Sequence, residues 1–139
     1  MGRPDLKKKI REIMTSRIVA ATKDYNVRDL AVLLQSGNFS GIPIVEPGNR
    51  LVGMVTEFDL LKALTSSKDL HTLKAEAIMS TPPISIGEHQ PIKEAIDLMM
   101  AIGIIRLPVV RDDKLIGLIS RSDILNHTID SHIVNIYGG

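Results

Sequence analysis

The fold is decided by residues 53–61, with the sequence Gly-Met-Val-Thr-Glu-Phe-Asp-Leu-Leu, which returns at residues 117–125 as Gly-Leu-Ile-Ser-Arg-Ser-Asp-Ile-Leu. The two copies start 64 residues apart, and both have a hydroxyl residue three positions after the glycine and an aspartate three positions later. A duplication that keeps a hydroxyl and a carboxylate at one spacing predicts two similar sites related by an approximate twofold axis. Such a pair indicates ligand binding, and it argues against a single asymmetric active site.

The repetition extends beyond these two segments. Ile13-Met14 returns as Ile78-Met79, and the Ile-Pro-Ile-Val of residues 42–45 returns as the Leu-Pro-Val-Val of residues 107–110, each 65 residues later. The second copy therefore lacks one residue in the turn before its glycine. We predict a first repeat at residues 1–66, with an N-terminal lead-in helix, and a second at residues 67–139, with a C-terminal helix. Because about 65 residues rarely build a stable core alone, we expect the two repeats to form one compact module.

Composition argues against several classes of function. Seventeen basic and sixteen acidic residues leave the chain nearly neutral, and two Phe, two Tyr and no Trp offer few stacking platforms, so nucleic acid is not an expected partner. The lack of cysteine removes disulfide and thiolate chemistry and favours a reducing, cytoplasmic setting. No apolar run approaches the roughly 20 residues that cross a bilayer, so we expect no membrane partner.

Hydrophobic periodicity and turn residues predict one order of elements in both repeats: strand, helix, strand, strand, helix. Because a helical crossover joins the first strand to the second, we expect a mixed α+β fold, in which small mixed sheets pack together and are flanked by helices. The second helix of each repeat is predicted to begin at Thr56 or Ser120, and an apolar stripe continues the last helix through Ile133 and Ile136. The other predicted elements, given for the first and then the second repeat, are lead-in helices at 6–14 and 70–79, first strands at 17–20 and 84–86, helices that begin after Asn26 and at Pro91 and end at Gly37 and Gly103, and hairpins of 42–45 with 51–56 and of 107–110 with 115–120.

Thr56 with Asp59, and Ser120 with Asp123, allow two interpretations. A hydroxyl followed three residues later by an acid, ahead of apolar residues, is a capping box that satisfies free amides at a helix start. The alternative is a nucleotide site, because an ionised Asp accepts hydrogen bonds from both hydroxyls of a ribose diol, and a hydroxyl beside a helix N-terminus suits phosphate. For either pair alone capping is the simpler explanation. The recurrence of the hydroxyl–carboxylate pair after a glycine, which lets a ligand approach the backbone closely, favours the nucleotide site.

These motifs, in this order and twice over, resemble a tandem pair of cystathionine-β-synthase (CBS) domains, also called a Bateman module. The resemblance covers residues 9–135 and rests on the Ile-Met-Thr/Ser lead-ins, the proline-containing strands and the Gly-x-x-Thr/Ser-x-x-Asp junctions. It implies a stand-alone regulatory module, without enzymatic activity or a required cofactor or metal, that binds AMP, ADP or ATP in clefts between the repeats. S-adenosylmethionine and NAD are alternative ligands. It also implies a homodimer that signals occupancy to an unidentified effector protein.

The resemblance further implies roles for individual residues. Asp59 and Asp123 would hold ribose hydroxyls, while Thr56 and Ser120 would contact phosphate or ribose. The residues expected to frame the adenine or line the clefts are Thr15, Arg17, Ile18, Val19, Ile42, Pro43, Ser80, Thr81, Pro83, Ile84, Arg106, Leu107 and Pro108.

The two copies differ in charge. Arg106 occupies the position of Gly41 in the first copy, and Arg17 that of Pro82 in the second. Each arginine can contact a ligand phosphate or form a surface salt bridge, and the sequence assigns neither to a particular cleft. We expect the two clefts to differ in affinity.

Three other functions have weaker support. His127, Asp130 and His132 are close in sequence, but a metal site needs a further ligand that the pattern does not supply. An enzyme needs a nucleophile with its base, or carboxylates tuned to different pKa values, and neither repeat contains such an asymmetric set. A structural dimerisation module with empty clefts would have the same fold and differ only in binding no nucleotide.

Overall fold

The structure, a computed structural model, describes residues 4–37 and 41–129. Both repeats contain the predicted strand, helix, strand, strand, helix. The mixed α+β class is thereby confirmed. The first repeat consists of β1 (Ala21–Thr22), α1 (Val27–Gly37), β2 (Gly41–Glu46), β3 (Arg50–Thr56) and α2 (Glu57–Thr65). A lead-in helix, α3 (Ala75–Ile78), precedes the second repeat, which consists of β4 (Ile86–Gly87), α4 (Ile92–Ile102), β5 (Arg106–Arg111), β6 (Lys114–Ser120) and α5 (Arg121–Thr128).

The six strands form one mixed sheet in the order β1-β2-β3-β6-β5-β4. In each half the short first strand runs parallel to its neighbour, and the other two form an antiparallel hairpin. The halves meet at the hairpin ends, where Arg50 pairs with Lys114 and the Leu51 amide donates to the Asp113 carbonyl over 3.0 Å. The sheets of the two repeats are therefore joined near the pseudo-twofold axis.

The predicted one-residue deletion is confirmed in the hairpin turns. Residues 47–49 connect the strands of the first hairpin, whereas only Asp112 and Asp113 connect those of the second. Both aspartates have positive φ angles, 50° and 64°, as a two-residue type I′ turn requires. The register also shifts after Ile44 and after Val109, which are equivalent positions. Both hairpins thus have the same bulge and differ only in the turn.

The segment before each repeat packs on the core of the other repeat. Ile10 and Ile13 are buried in a cluster that includes Ile92 of the second repeat. Ala75 is buried with Leu30 and other residues of the first repeat. The two halves therefore complete each other's cores.

Backbone hydrogen bonds repeat this exchange. The Ile10 amide donates to the Gln90 carbonyl over 2.9 Å, and the equivalent Ala75 amide donates to the Tyr25 carbonyl over 2.8 Å. The carbonyls just before the two lead-in helices are also taken: Lys8 accepts from the Ile92 amide over 2.9 Å and Leu73 from the Val27 amide over 3.0 Å, so neither helix extends further towards its N-terminus. A 3₁₀ turn, Ile10–Glu12, and the four-residue α3 replace the longer lead-in helices that the sequence predicts.

The structure corrects other element boundaries. Residues 17–20, predicted as a strand, have no regular structure, and pairing begins at Ala21–Thr22, which lie opposite Ile44 and Val45. The equivalent strand is Ile86–Gly87, a shift from the predicted 84–86. Pro91 is the residue before α4 and does not begin the helix.

The helix ends predicted at Asn26, Gly37 and Gly103 agree with the structure. The side-chain oxygen of Asn26 accepts hydrogen bonds from the amides of Arg28 and Asp29, over 2.9 and 3.3 Å, as an N-cap does. Gly103 ends α4 with a φ of 68°. The last described helix ends at Thr128, and the apolar positions 133 and 136 lie outside the described residues. Over residues 4–37 and 41–129, no helix combines the length and apolar character of a membrane span.

Candidate functional site

Both hydroxyl–carboxylate pairs form capping boxes. The amide and hydroxyl of Thr56 donate to Oδ2 of Asp59 over 2.8 and 3.0 Å, and the Asp59 amide returns a 3.3 Å bond to the Thr56 hydroxyl. In the second repeat the Ser120 amide donates to Oδ2 of Asp123 over 2.9 Å, and the Asp123 amide donates to the Ser120 hydroxyl over 3.1 Å. The capping interpretation is therefore confirmed at both helix starts.

Capping leaves part of each carboxylate available. The backbone bonds use Oδ2, while Oδ1 of Asp59 accepts a 3.1 Å hydrogen bond from the Ser80 hydroxyl. Oδ1 of Asp123 accepts a longer, 3.5 Å bond from the Thr15 hydroxyl. Both aspartates are half-buried, and each carboxylate oxygen has two lone pairs. The same side chain can thus cap its helix and accept a further donor.

Gly53 and Gly117 make room for the lead-in segment of the other repeat. A Cβ on Gly53 would lie 2.6 Å from Sδ of Met79, and one on Gly117 would lie 2.8 Å from Sδ of Met14 and 2.9 Å from the Thr15 carbonyl oxygen. The segments that approach there bring the Ser80 and Thr15 hydroxyls to the two carboxylates. Each glycine therefore helps to assemble the site beside it.

The carboxylate of Asp123 lies in a groove of about 200 Å³, here called the Asp123 groove. Its wall combines the junction of the second repeat with residues that follow the first lead-in. Two cations and one carboxylate give it mixed charge. The residues that line it are Thr15, Arg17, Ile18, Val19, Gly41, Arg106, Leu118, Ser120 and Asp123.

A second cavity, of about 560 Å³, lies at the equivalent place beside Thr56 and is called the Thr56 groove. Its walls are mostly apolar, and Arg106 is the charged residue among them. The lining residues are Gly41, Met54, Thr56, Phe58, Ser80, Pro82, Pro83, Ile84, Ile102, Gly103, Ile104, Ile105, Arg106 and Pro108.

The two grooves are related by the repeat. Ser80 takes the place of Thr15, Ile84 that of Val19, and Thr56 that of Ser120. Arg106 and its equivalent, Gly41, line both grooves. Of the two arginines, Arg17 lines the Asp123 groove, whereas Arg106 lines both grooves.

Asp59 borders a third cavity, of about 550 Å³, which is lined by α2 and by residues between 66 and 81. This cavity shares Ser80 with the Thr56 groove and also contains Thr81, Lys62 and Lys68. The duplicated pattern does not point to the two lysines, because Asn126 and His132 occupy their places in the second repeat.

Some predicted residues lie away from the groove surfaces. The side chains of Ile42 and Leu107 are fully buried in the two cores, and Pro43 is also buried. The groove surface is formed beside them by Gly41, Arg106 and Pro108. Residues 102–105, which also line the Thr56 groove, are not among the predicted site residues, and their only sequence signal is an apolar run around the glycine that ends α4.

The metal alternative receives no added support. His127 is exposed on α5, and Asp130 and His132 lie outside the described residues. Within the described part of the chain, no three potential metal-ligating side chains form a cluster.

Comparison with known proteins agrees with this architecture. The model of the CBS domain family matches residues 10–66 and 75–130. The uncharacterized protein YlbB of Bacillus subtilis (strain 168) is 32% identical over 117 residues, which are 84% of this chain and 79% of YlbB.

Two solved structures with named ligands share the fold. The CBS domain pair of protein MJ0100, in complex with 5′-methylthioadenosine and S-adenosyl-L-methionine, has a TM-score of 0.75 and 27% identity over 86% of this chain and 94% of that chain. CBSX2 in complex with AMP has a TM-score of 0.74 and 26% identity over 85% of this chain and 93% of that chain. Both similarities span nearly the whole of the solved chains.

Proposed function

This chain belongs to the CBS domain family, and we propose that it is a regulatory module that binds adenosine-containing ligands in its two grooves. One observation carries the proposal: in each repeat a half-buried carboxylate that caps its own helix also meets a hydroxyl from the other repeat. Asp123 lines the Asp123 groove itself, whereas Asp59 adjoins the Thr56 groove through its bonds to Thr56 and Ser80, which line it. A ribose 2′,3′-diol offers two adjacent donors that such a carboxylate can accept. Because the site lies between repeats, its occupancy can favour one arrangement of them.

The proposed contacts follow from this geometry. Asp59 and Asp123 bind ribose hydroxyls, and Thr56 and Ser120 contact ribose or phosphate, with the helix N-terminus adding a favourable dipole. Arg17 and Arg106 bind phosphate. The remaining proposed contact residues, which surround the adenine through side chains or backbone, are Thr15, Ile18, Val19, Ser80, Thr81, Pro83, Ile84 and Pro108.

AMP, ADP or ATP is the proposed ligand, with no further cofactor. The MJ0100 and CBSX2 complexes support an adenosine ligand, since 5′-methylthioadenosine, S-adenosyl-L-methionine and AMP share that part and differ in the 5′ substituent. The charge of the grooves then selects among them. Arg106 beside both grooves and Arg17 beside one favour a 5′ phosphate over a neutral substituent.

The proposed signal is a change in contacts with an effector protein in the cytoplasm, driven by unequal ligand affinity for two arrangements of repeats or protomers. A homodimer through the outer helices is part of this proposal. Phe58, Leu61 and Leu64 on α2 and Leu125 on α5 are exposed apolar residues, and such surfaces suit a self-complementary interface. Phe58 also lines the Thr56 groove, so a dimer through α2 would lie next to bound ligand.

Native mass spectrometry of protein purified without nucleotide, followed by calorimetry with adenosine, AMP, ATP and S-adenosylmethionine, tests the proposal. We expect up to two adenosine ligands per chain. Asp59→Asn and Asp123→Asn should each weaken binding to one groove by at least tenfold, as loss of a charged hydrogen-bond acceptor does, roughly 1.5–3 kcal/mol. Asp97→Asn, which removes an exposed carboxylate paired with Lys93 on α4, is the matched control.

Two outcomes would contradict the proposal. A dimer that binds none of these ligands would indicate the structural dimerisation module, which the same exposed helices support. Sustained ATP hydrolysis that disappears in Asp123→Ala would indicate an enzyme.

A further inference from the structure

We infer that Arg106 couples the two grooves, so that an anionic ligand in one weakens the binding of an anionic ligand in the other. The inference rests on the proposed function and concerns the regulation of the same two sites. Arg106 lines both the Asp123 groove and the Thr56 groove. Its repeat equivalent, Gly41, lines both as well but has no side chain. One guanidinium therefore stands where strict symmetry would place two.

The grooves depend on this cation to different degrees. In the Asp123 groove Arg17 supplies a second guanidinium, and Asp123 itself supplies a negative charge. In the Thr56 groove Pro82 occupies the position of Arg17, and Arg106 is the charged residue among those that line it. A phosphate in the Thr56 groove thus relies on a cation that the other groove also uses.

Arg106 is available to either groove. It is half-buried at the start of β5, where its backbone pairs with Ser120, and within residues 4–37 and 41–129 its side chain forms no ion pair or hydrogen bond. A guanidinium presents its donors as one planar fork that matches a single phosphate. Two phosphates drawn towards it must divide its five N–H donors and its single positive charge between them, and they repel each other.

Negative coupling of charged ligands follows. By linkage the penalty is reciprocal, whichever groove fills first. Neutral adenosine, which presents no phosphate to Arg106, should fill the grooves independently. Coupling would spread the response of the module over a wider range of nucleotide concentration than two independent sites provide.

The coupling is tested by calorimetry, which measures AMP affinity in variants where a tryptophan obstructs one of the two grooves. Val19→Trp should obstruct the Asp123 groove and Ile84→Trp the Thr56 groove, at repeat-equivalent positions and without changing charge. We expect the second AMP to bind the unmodified chain roughly five- to tenfold more weakly than AMP binds the matching single-groove variant. Adenosine should show no such difference, and Arg106→Gln should abolish the difference for AMP.

Arg17→Gln is the matched control. It should weaken AMP binding in the Ile84→Trp chain, where only the Asp123 groove is open, and leave it unchanged in the Val19→Trp chain. If either tryptophan variant fails to fold, a second measurement takes the place of the single-groove comparison. The ratio of the first to the second dissociation constant for AMP is then determined in the unmodified chain and in Arg106→Gln. In Arg106→Gln this ratio should approach the ratio measured for adenosine, whereas in the unmodified chain the two ratios should differ.

The outcomes separate the two claims. Equal AMP affinities in the unmodified and single-groove chains, or a penalty that persists in Arg106→Gln, would overturn the coupling and leave the proposed function intact. Failure of adenosine and AMP to bind the unmodified chain would contradict both.

Discussion

The hydroxyl of Ser80 donates a hydrogen bond to the carboxylate of Asp59 over 3.1 Å, although the hydroxyl belongs to the lead-in of the second repeat and the carboxylate to the first repeat. The equivalent bond joins Thr15 to Asp123. Each carboxylate is thus held by its own helix start and touched by the lead-in of the opposite repeat. Both grooves are composite, so a substitution in one half is expected to change a groove in the other.

Removal of a helix cap is expected to cost stability. Thr56→Ala and Ser120→Ala each delete a hydroxyl that accepts the amide of the third helical residue, so the free energy of unfolding should fall by about 1 kcal/mol in each variant. Urea denaturation followed by circular dichroism measures the change. Ser122→Ala, an exposed substitution on the same helix as Ser120, is the control. Unchanged midpoints in both cap variants would contradict the prediction.

Alanine at the two junction glycines is expected to be costly, and more so in the second repeat. Gly53→Ala would press on the Met79 side chain, which can rotate, whereas Gly117→Ala would also meet the Thr15 carbonyl oxygen at 2.9 Å, which cannot move without the backbone. Overpacking of this kind costs about 1–3 kcal/mol. Chemical denaturation should therefore place Gly117→Ala below Gly53→Ala in stability.

A second substitution distinguishes the collision with a methionine side chain from the collision with the backbone. Met79→Ala should recover stability in the Gly53→Ala chain, because it removes the atoms that collide. Met14→Ala should recover much less in the Gly117→Ala chain, because the collision with the Thr15 carbonyl remains. Equal recovery in the two chains would show that the backbone contact is unimportant.

Much of the fold could be predicted because the repeat constrains it. A 64- or 65-residue spacing requires the same order of elements twice, and it located the missing residue in the turn at Asp112 and Asp113. Asp59 pairs with Thr56, and Asp123 with Ser120, over only three residues of sequence. Their spacing alone therefore predicts these pairs.

The exchange of lead-ins could not be predicted. Ile10 and Ala75 are aliphatic residues that either core could accept, and their choice depends on contacts between segments distant in sequence. Residues 17–20 have the β-branched character of a strand, but Arg17, Ile18 and Val19 line a groove instead of pairing. The position of Arg106 between two grooves likewise depends on where the pseudo-twofold axis passes between the repeats. No local sequence pattern predicts that.

The ion pair of Glu88 with Arg111 is expected to make stability depend on pH. The Arg111 guanidinium donates to both oxygens of the buried Glu88 carboxylate, with a distance of 2.8 Å from Nη2 to Oε1. These hydrogen bonds, aided by the charge of Arg111, hold the pKa of Glu88 below its ordinary value of 4.5, against the opposing effect of burial. A carboxylate with a lowered pKa stabilises the fold above pH 4.5, and this stabilisation is lost as the pH falls through the folded-state pKa.

Urea denaturation at a series of pH values from neutral to about 3 measures this effect. Glu88→Gln should be less stable than the unmodified chain at neutral pH, and the difference should shrink on acidification. Glu57→Gln, an exposed substitution that leaves the pair intact, is the control. A difference that stays constant with pH would contradict the assigned ion pair.

The first repeat has an ion pair of reversed polarity at the equivalent positions, where Lys23 lies 3.3 Å from Glu46. Its side chains are 43% and 31% exposed, whereas Glu88 is 4% exposed. Because exposed pairs contribute little, about 0–1 kcal/mol, Lys23→Met should change the free energy of unfolding less than Arg111→Met, which leaves a buried carboxylate unpaired. Equal losses at neutral pH would show that burial does not distinguish the pairs.

Ile10→Ala is expected to destabilise both repeats together. Ile10 lies in the lead-in of the first repeat, but its side chain is fully buried in the core of the second. Truncation to alanine should therefore lower the free energy of unfolding by about 2–5 kcal/mol, through lost burial and the cavity left behind. Hydrogen exchange followed by mass spectrometry should show equal loss of protection in α1 and α4, because each repeat needs the other's lead-in. Lys7→Ala, exposed on the same segment, should change neither. If α4 lost protection while α1 kept it, the two halves would unfold independently, and the exchanged segments would be contacts between separate folding units instead of parts of shared cores.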